Sequence, residues 1–438
     1  MNPIVVKFGG SSLATAGQFE KVAAIIRENP GRRYVVASAP GKRFSGDTKV
    51  TDLLYRCYDA ACAGQDFAPV LDEIRQRFAD IISELQLQVD LAPDFAAIEA
   101  HLRTSPQRDY MASRGEYLNS KLLAAYLGFA FVDAAQMVLF RADGSFDAEA
   151  TNTAIGHALV SIDRAVIPGF YGAMPDGTIH TFSRGGSDVT GSIVARAVGA
   201  ELYENWTDVS GILMADPRIV DNPEPIKKIT YAELRELAFM GATVLHEESV
   251  QPVREKGIPL NIRNTNRPQD PGTMIVGNID RENSDDRFIT GIAGRKNFTI
   301  ITLQKHDMHT SHTLRQALEV FERYHAPIEH IALGLDSFAL VTSSAGLGES
   351  IYQLMGDLQK ACHPDDINQQ DDIALVAAVG RKMPFRPGTS GKLFKALGDA
   401  GVNIRTIAQG TDELSIIVGI DNKDYETAIR VLYDGFAG

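Results

Sequence analysis

The stretch that decides the fold is Ile4-Val5-Val6-Lys7-Phe8-Gly9-Gly10-Ser11-Ser12. Its first five residues are β-formers around one lysine, the pattern of a buried strand that delivers a single cation to its carboxyl end. Gly9 and Gly10 then permit a tight turn, with no Cβ atom to obstruct a ligand. Ser11 or Ser12 is expected to cap a following helix. Lys7, bare glycine backbone and helix N–H groups together predict a phosphate site.

This turn differs from the common nucleotide-binding motifs. The chain contains neither G-x-x-x-x-G-K-[ST] nor G-x-G-x-x-G, so a P-loop and a dinucleotide fingerprint are both excluded. Alone, the stretch is also compatible with a plain strand and turn. The phosphate interpretation therefore depends on the rest of the chain.

Composition restricts the class of protein. The 438 residues, 44% of them hydrophobic and 23% charged, are enough for two or three globular domains. Three cysteines without paired spacing argue against a disulfide framework or a metal site. We find no export signal and no apolar run long enough to cross a membrane, so we expect a cytoplasmic protein. The formal net charge of -13 disfavours nucleic acid as a partner.

A second strand, ending at Ser38, follows the first helix. The order strand, helix, strand begins a parallel α/β sheet, whose ligands lie beyond the carboxyl ends of the strands. Ser38 and the polar loop that leads to Thr51 are therefore candidate site residues. Thr51 has an alternative interpretation as a helix N-cap.

Glu116 follows Ser113-Arg114-Gly115, which has the composition of a helix start. We expect Glu116 in the first turn of that helix, where a carboxylate commonly stabilises the helix dipole. Its alternative role is to bind a substrate ammonium group.

The most informative loop is Arg184-Gly185-Gly186-Ser187-Asp188, which leads into an apolar helix. Arg184 can bind a carboxylate through its guanidinium fork, and the glycines expose backbone N–H groups. Asp188 could hold a magnesium ion or orient Lys7. The alternative is an N-cap aspartate beside an exposed arginine.

The next segments place polar groups where a base and ribose could bind. They are the strand and turn from Asn205 to Leu213 and the loop Ala215-Asp216-Pro217-Arg218. A Pro- and Asn-rich segment, 259–272, and the charged stretch 280–287 predict a domain boundary. We therefore divide the chain into 1–278, 279–364 and 365–438.

The remainder repeats one order of elements. Strand, helix, two strands and helix occur from Phe298 to Ala361 and again from Ile373 to Leu432. Two βαββα units side by side predict a pair that senses a ligand.

Several motifs, taken in order, resemble the aspartokinase pattern. They are Lys7 to Ser12, Gly115-Glu116, Arg184 to Asp188, Thr207-Asp208 with Ala215 to Arg218, and Gly241-Ala242 with Val244-Leu245-His246. The repeat resembles the tandem ACT domains of the same enzymes. The resemblance implies an α/β amino-acid kinase fold, with a parallel-rich sheet between helices, followed by two ferredoxin-like ACT units.

The resemblance also implies a reaction and its residues. MgATP would phosphorylate the β-carboxylate of L-aspartate, with ATP and Mg²⁺ as cofactors. Lys7 and Asp188 resemble the catalytic pair. Residues similar to the nucleotide contacts are Lys7, Gly9, Gly10, Ser38, Thr207, Asp208, Leu213 and Arg218. Residues similar to the aspartate site are Thr51, Glu116, Phe170, Arg184, Gly185, Gly186 and Ser187. No protein metal-ligand set is predicted.

Two positions depart from the commoner pattern. Leu213 replaces a tyrosine that often lies near adenine, and Thr243 replaces a lysine that often contacts ATP. A clostridial-type subgroup is similar at both positions. The departures affect the expected nucleotide contacts and leave the reaction unchanged.

The ACT pair implies feedback control by lysine or threonine and a homodimer or higher oligomer assembled through these units. Candidate effector residues are Met308, Ser311, Glu329 and Asp336, which are equally compatible with solvated loops. Two rival functions stay open: an amino-acid kinase with another acceptor, and a catalytically silent amino-acid-binding regulator.

Overall fold

The computed structural model describes residues 2–183, 185–242, 245, 247–279, 289–306, 310–410 and 412–437. The described residues form two compact units. The first is built from Met1–Ile212, Pro225–Tyr231 and Val244–Ile279, and the second from Leu213–Glu224, Ala232–Thr243 and Asp280–Gly438. None of the helices within the described ranges is long and apolar enough to span a bilayer.

The first unit alternates strands with helices for most of its length. Its strands are β1 Ile4–Phe8, β2 Arg32–Ala37, β3 Ala130–Phe131, β4 Ala165–Pro168, β5 Tyr171–Ala173, β6 Ile179–Thr181, β7 Leu202–Thr207, β8 Lys228–Thr230, β9 Leu260–Asn264 and β10 Thr273–Val276. Its helices are α1 Ala16–Glu28, α2 Val50–Cys62, α3 Ala68–Glu84, α4 Ala92–Thr104, α5 Arg108–Leu127, α6 Ala148–Leu159, α7 Gly186–Ala197 and α9 Glu247–Glu255; α8, Tyr231–Phe239, begins in this unit and continues in the second.

Eight of these strands form one sheet in the order β3-β4-β2-β1-β7-β9-β10-β8. The pairs from β3 to β9 are all parallel, and β10 is antiparallel to β9. Consequently β1, β2, β4, β7 and β9 end at the same edge. The predicted buried strand is confirmed, because every residue of β1 is buried. We call this edge, with the loops that follow it, the carboxyl edge.

The predicted helix after the glycine turn is present as α1, whose apolar residues Phe19, Val22 and Ile26 are buried. The predicted cap was wrong. Ser11 and Ser12 lie in a short 3₁₀ turn, Gly10–Leu13, and Thr15 caps α1 by accepting a hydrogen bond from the Gln18 N–H. Because of this 3₁₀ turn, α1 begins only at Ala16, and the glycine backbone stays at the carboxyl edge.

The second unit contains the predicted repeat. Its strands are β11 Gly291–Gln304, β12 Ile328–Leu333, β13 Ser337–Ser343, β14 Asp366–Val379, β15 Ile404–Gln409 and β16 Ser415–Asp421. Its helices are the rest of α8, α10 Thr310–Arg323, α11 Ser344–Leu347, α12 Ile351–Cys362, α13 Thr389–Asp399 and α14 Tyr425–Ala437. The two βαββα units of the sequence analysis are confirmed.

The six strands form one antiparallel sheet in the order β12-β13-β11-β14-β16-β15. The central strands β11 and β14 begin earlier than predicted and pair with each other along their length. The repeats are therefore joined edge to edge through these two strands.

The Pro- and Asn-rich segment 259–272 lies inside the first unit, which extends to Ile279. That segment contains β9, which pairs with β7 and β10 inside the eight-stranded sheet. Asn266, Pro268 and Pro271 lie in the turn between β9 and β10. The division into 1–278, 279–364 and 365–438 stays a prediction.

Candidate active site

Lys7 lies near the carboxyl end of β1 and faces an acidic partner. Its Nζ is 2.6 Å from Asp188 Oδ1 and 3.4 Å from Asn205 Oδ1. The Asn205 Nδ2 donates a hydrogen bond of 2.9 Å to the same Asp188 oxygen. Lys7 and Asn205 are buried, so these contacts hold the ammonium group in one place. The sequence analysis gave Asn205 no role beside Lys7, although a polar residue in a predicted strand was a signal for it.

The glycine turn continues directly from this lysine. The Gly9 N–H donates to the Trp206 carbonyl oxygen of β7 at 3.0 Å, and the Gly41 N–H donates to the Gly10 carbonyl oxygen at 2.8 Å. A Cβ atom on Gly10 would lie 2.7 Å from the Ala39 carbonyl oxygen. Two loops of the carboxyl edge therefore meet at a distance that only glycine permits.

The start of α7 brings Asp188 and Ser187 to the same edge. Gly185 precedes the helix in the left-handed region, with φ of 58°, where a side chain would be strained. A Cβ atom on Gly186 would lie 2.4 Å from Phe170 Cδ2. This 12-residue helix thus presents its N-terminal N–H groups, which favour anions.

Phe170 has an unusual backbone at this place. Its φ is 80°. A non-glycine residue adopts such a backbone conformation at a cost in free energy, and strained residues of this kind are concentrated at functional sites. Its N–H donates to Thr190 Oγ1 at 3.0 Å, and its carbonyl oxygen accepts from the Phe182 N–H at 2.9 Å. These bonds keep Phe170 against Gly186.

Glu116 is buried in the middle of α5, so the expected first-turn position was wrong. The helix begins at Arg108, and the helix-dipole explanation for Glu116 no longer applies. Burial raises the pKa of Glu116 to about 8, an effect that the Ala39 backbone N–H and Arg114 only partly offset. Among the described residues, Glu116 Oε2 has no hydrogen-bond partner. A buried acceptor of this kind favours a ligand that donates.

Ser38 and Thr51 lie on the loop and helix that follow β2. Ser38 is held by the Asn119 Nδ2, which donates to its carbonyl oxygen at 2.7 Å. Thr51 is in the first turn of α2, and the N-cap position is Lys49. The N-cap alternative for Thr51 was therefore wrong, and its side chain is left for another role.

Arg77 of α3 clamps this loop and was not predicted. It is buried, and its Nη1 and Nη2 donate to the carbonyl oxygens of Thr48 and Gly41, both at 2.6 Å. The loop also contains Asp47, whose pKa is held well below its ordinary value, chiefly by hydrogen bonds from Arg43. An arginine within the apolar stripe Ile74, Phe78 and Ile81 was the available signal.

Thr207 ends β7 and Asp208 follows it, next to the glycine turn. Thr207 Oγ1 donates to Asp208 Oδ1 at 3.2 Å, and the Asp208 carbonyl oxygen accepts from Asn264 Nδ2 at 3.2 Å. Ser12 Oγ and Thr265 Oγ1 lie 2.8 Å apart and join the glycine turn to the residue after β9. These bonds connect the glycine turn and the end of β7 with the end of β9.

Other predicted residues belong to the second unit or lie outside the described part of the chain. Leu213 and Arg218 belong to the second unit, where Arg218 Nη2 is 2.6 Å from Asp216 Oδ2. Arg184, Thr243 and Met308 lie outside the described residues. In the described ranges, no three His, Cys, Asp or Glu residues are grouped as metal ligands.

The three described effector candidates lie in the second unit. Ser311 is exposed near the start of α10, and the Asp336 carbonyl oxygen accepts from the Lys305 N–H at 2.9 Å. Glu329 lies within β12, and its Oε2 is 2.8 Å from Arg295 Nη2. An effector ammonium group that binds Glu329 would therefore compete with Arg295.

Comparisons with known proteins agree with both units. The family model described as the amino acid kinase family matches residues 2–264, and an ACT domain model matches 376–436. Aspartokinase 3 of Bacillus subtilis is 34% identical, over 99% of this chain and 98% of that protein. The crystal structure of Clostridium acetobutylicum aspartate kinase is 45% identical, with a TM-score of 0.91 and full coverage of both chains. Aspartokinase III of E. coli, solved with aspartate and ADP, is 24% identical with full coverage and a TM-score of 0.75, so it shares the fold.

Proposed function

This chain belongs to the aspartokinases of the amino acid kinase family, and from that membership we propose which residues carry the reaction. The enzyme is an aspartate kinase that uses ATP. The product is 4-phospho-L-aspartate, and we assign the enzyme to the first step of lysine, threonine and methionine synthesis in the cytoplasm. The observation that carries the residue assignment is the contact of Lys7 with Asp188 and Asn205 at the carboxyl edge.

The chemistry requires positive charge more than a base. An aspartate side chain has a pKa of about 3.9, so the acceptor carboxylate is already ionised at neutral pH. Transfer between two anions depends on in-line positioning and charge neutralisation. Lys7 therefore neutralises the transferring phosphoryl group. Asp188 and Asn205 orient its ammonium group.

The acceptor binds between α5, α7 and the start of α2. Glu116 takes the aspartate ammonium group, because its buried Oε2 lacks a partner among the described residues. Arg184, carried from the resemblance, binds a carboxylate. Thr51, Phe170, Gly185, Gly186 and Ser187 complete this site.

The nucleotide binds over the glycine turn. Gly9, Gly10 and Ser38 line the phosphate side, and Thr207 and Asp208 lie towards the nucleoside. Leu213 and Arg218 stay in this assignment as proposals from the resemblance. Mg²⁺ fits Asp188, because all described contacts of that carboxylate go to Oδ1 and leave Oδ2 for a cation. When bound, the ion supplies further neutralisation of phosphate charge.

Regulation and assembly belong to the second unit. We assign lysine or threonine as the effector, with Met308, Ser311, Glu329 and Asp336 as candidate contacts. A homodimer or higher oligomer through the ACT units is supported by the two edge strands. β12 and β15 carry exposed apolar side chains, at Ile331, Leu333 and Ile407, and unpaired strand edges of this kind favour association.

The test is ADP release from MgATP with L-aspartate, with L-glutamate as the control acceptor and with millimolar lysine or threonine added in turn. We expect turnover that depends on aspartate and falls with one of the two products. Turnover with another acceptor only, or none with any acceptor, would refute the proposed substrate. Unchanged activity and melting temperature with both amino acids would refute them as effectors.

A further inference from the structure

Two segments of the proposed aspartate site are packed against each other more closely than ordinary side chains allow. Gly169 and Phe170 follow β4, and Gly186 and Ser187 begin α7. A Cβ atom on Gly186 would lie 2.4 Å from Phe170 Cδ2, and one on Gly169 would lie 2.6 Å from Ser187 Oγ. Small shifts between the two segments would change the site, so its geometry depends on what holds them together.

Phe170 does not keep this position through its own backbone preference. Its φ of 80° lies in the left-handed region, which a bulky residue leaves unless its surroundings hold it there. Both of its backbone groups are held. The carbonyl oxygen accepts from the Phe182 N–H at 2.9 Å, and the N–H donates to Thr190 Oγ1 at 3.0 Å. The bond to Thr190 is the one that ties Phe170 to α7.

Thr190 joins the two segments through one hydroxyl group. It lies in the second turn of α7 and is fully buried. Its Oγ1 donates to the Gly186 carbonyl oxygen at 2.9 Å. Since the Phe170 N–H can only donate, the hydroxyl oxygen accepts there and its proton goes to Gly186, so the hydroxyl acts as donor and acceptor at once. The same oxygen thus contacts the backbone of Phe170 and the backbone of Gly186.

A second threonine of the first unit shows how Thr190 differs from an ordinary helical threonine. Helical threonines commonly donate to the carbonyl oxygen four residues earlier, and the exposed Thr153 of α6 donates to Glu149 at 3.1 Å in this way. Thr190 adds a second bond, to a residue with a strained backbone, in the protein interior. Valine has the shape of threonine but neither its donor nor its acceptor, so the double contact requires a hydroxyl.

We propose that Thr190 is a positioning residue for the acceptor: its hydroxyl fixes Phe170 against the start of α7 and thereby sets the shape of the aspartate site. Thr190 is buried too deeply to touch the substrate. Phe170 itself is half-buried, so part of it is accessible to a ligand. The inference rests on the proposed assignment of Phe170, Gly186 and Ser187 to aspartate.

Asp188, in the first turn of the same helix, has separate supports. Its carboxylate accepts from Asn205 Nδ2 at 2.9 Å, and its carbonyl oxygen accepts from the Tyr203 hydroxyl at 3.1 Å. Neither bond involves Thr190. Loss of the Thr190 hydroxyl should therefore weaken the acceptor site more than the MgATP site.

The test compares steady-state kinetics of Thr190→Val and Thr190→Ser in the full chain. Thr190→Val removes the hydroxyl and keeps the shape, whereas Thr190→Ser keeps the hydroxyl. In Thr190→Val, the KM for L-aspartate should rise by at least about tenfold, and the KM for MgATP should change by less than about threefold. Thr190→Ser should have KM values close to the wild type. Thr190→Cys, whose thiol is a weak donor and acceptor, should be intermediate and replaces Thr190→Val if that variant does not fold.

Hydrogen exchange tests the contact without any substrate. The Phe170 N–H, followed by mass spectrometry of overlapping peptides, should exchange at least about tenfold faster in Thr190→Val than in the wild type, because its acceptor is lost. The control is Ser192→Ala, which removes another buried hydroxyl of α7, one that accepts from the Val253 N–H at 3.2 Å. That variant should melt at a lower temperature but keep the wild-type Phe170 exchange and KM for aspartate.

The other outcomes overturn separate parts of the proposal. An equal KM for aspartate in the wild type and Thr190→Val, or an equal rise in Ser192→Ala, overturns the positioning role, the second because it would mean that α7 is merely loosened. Equal effects of Thr190→Ser and Thr190→Val overturn the role of the hydroxyl. Unchanged Phe170 exchange in Thr190→Val overturns the contact itself. If the wild type shows no turnover with L-aspartate while Phe170 exchange depends on the hydroxyl, the proposed function fails and the contact between Thr190 and Phe170 stands.

Discussion

The carboxyl edge of the first unit and the β11–β14 pair of the second obtain their shapes in different ways. At the carboxyl edge, short strands end in glycines and buried polar groups such as Lys7 and Asn205. β11 and β14 are 14 residues each and pair over their length, interrupted at Asn297 and Asp372, which have φ of 69° and 56°. The candidate catalytic groups thus lie at the carboxyl edge, where loops approach closely. The second unit is held together by the pairing of two long strands. Substitutions should cost activity in the first region and stability in the second.

The largest effect that would sharpen this contrast is expected from Lys7→Ala. Loss of the cation removes charge neutralisation at the transferring phosphoryl group, so kcat should fall by about 10³-fold or more. The KM for aspartate should change by less than about tenfold, because Lys7 is not assigned to that substrate. Steady-state kinetics of Lys7→Ala and of Lys21→Ala, an exposed lysine of α1, give the comparison. An unchanged kcat in Lys7→Ala would break the assignment.

A smaller loss is expected from Arg77→Met. This change removes two hydrogen bonds to loop carbonyl oxygens, so the loop that meets Gly10 loses its fixed position. We expect kcat/KM for aspartate to fall by roughly 10²-fold. The matched control is Arg75→Met on the same helix, since Arg75 pairs with Asp72 and Glu99. Equal losses in the two variants, measured at temperatures where both are folded, would contradict a positioning role.

Glu116→Gln tests the site through pH. Since the folded protein holds the Glu116 proton up to about pH 8, binding of the aspartate ammonium group must release that proton. The KM for aspartate should therefore fall as pH rises towards 8. Glu116→Gln should have a higher KM that lacks this dependence. The control is Glu20→Gln, an exposed site on α1, which should keep the wild-type profile.

The raised pKa of Glu116 also affects stability: aspartate binding should improve as pH rises, whereas the free energy of unfolding should fall. Its folded pKa is raised above the ordinary value of 4.5, so between these values the unfolded chain has lost the proton that the folded protein keeps. This group therefore lowers the free energy of unfolding as pH rises from 4.5 to about 8. Thermal melting of Glu116→Gln should lack that decline, and a slope identical to the wild type would count against the raised pKa.

The smallest effect is expected in the second region. Asn297 has a left-handed backbone, which asparagine tolerates because its side-chain amide can form local hydrogen bonds. Asn297→Ala removes that amide and should lower the free energy of unfolding by about 1 kcal/mol. Asn297→Gly should cost less, because glycine adopts that backbone freely and only the exposed bond with Asn422 is lost. Denaturant unfolding measures both. Basal kinetics should stay at the wild-type level, and a large fall in kcat would break the contrast between the regions.

The sequence predicted what local chemistry determines. The strand around Lys7, the helix that starts after Gly185 and the order of the repeat follow from nearby residues. The position of Glu116 within its helix could not be predicted from nearby residues. α5 is buried around much of its circumference, so it lacks the one-sided apolar pattern from which the start of a helix is recognised. The extended pairing of β11 with β14 depends on residues about seventy positions apart, beyond the reach of local patterns.

The order of elements in the second unit has a consequence for genetic modularity. Its core includes Ala215 and Val220, which pack with Ile292 and Leu393, and buried Glu233 of α8 binds Arg381. Ala215, Val220 and Glu233 come from two short segments that interrupt the first unit in sequence. A gene cut after residue 288 would therefore give a regulatory fragment without part of its own interior. Recombination that exchanges the regulator between enzymes has to transfer three separate pieces of coding sequence together.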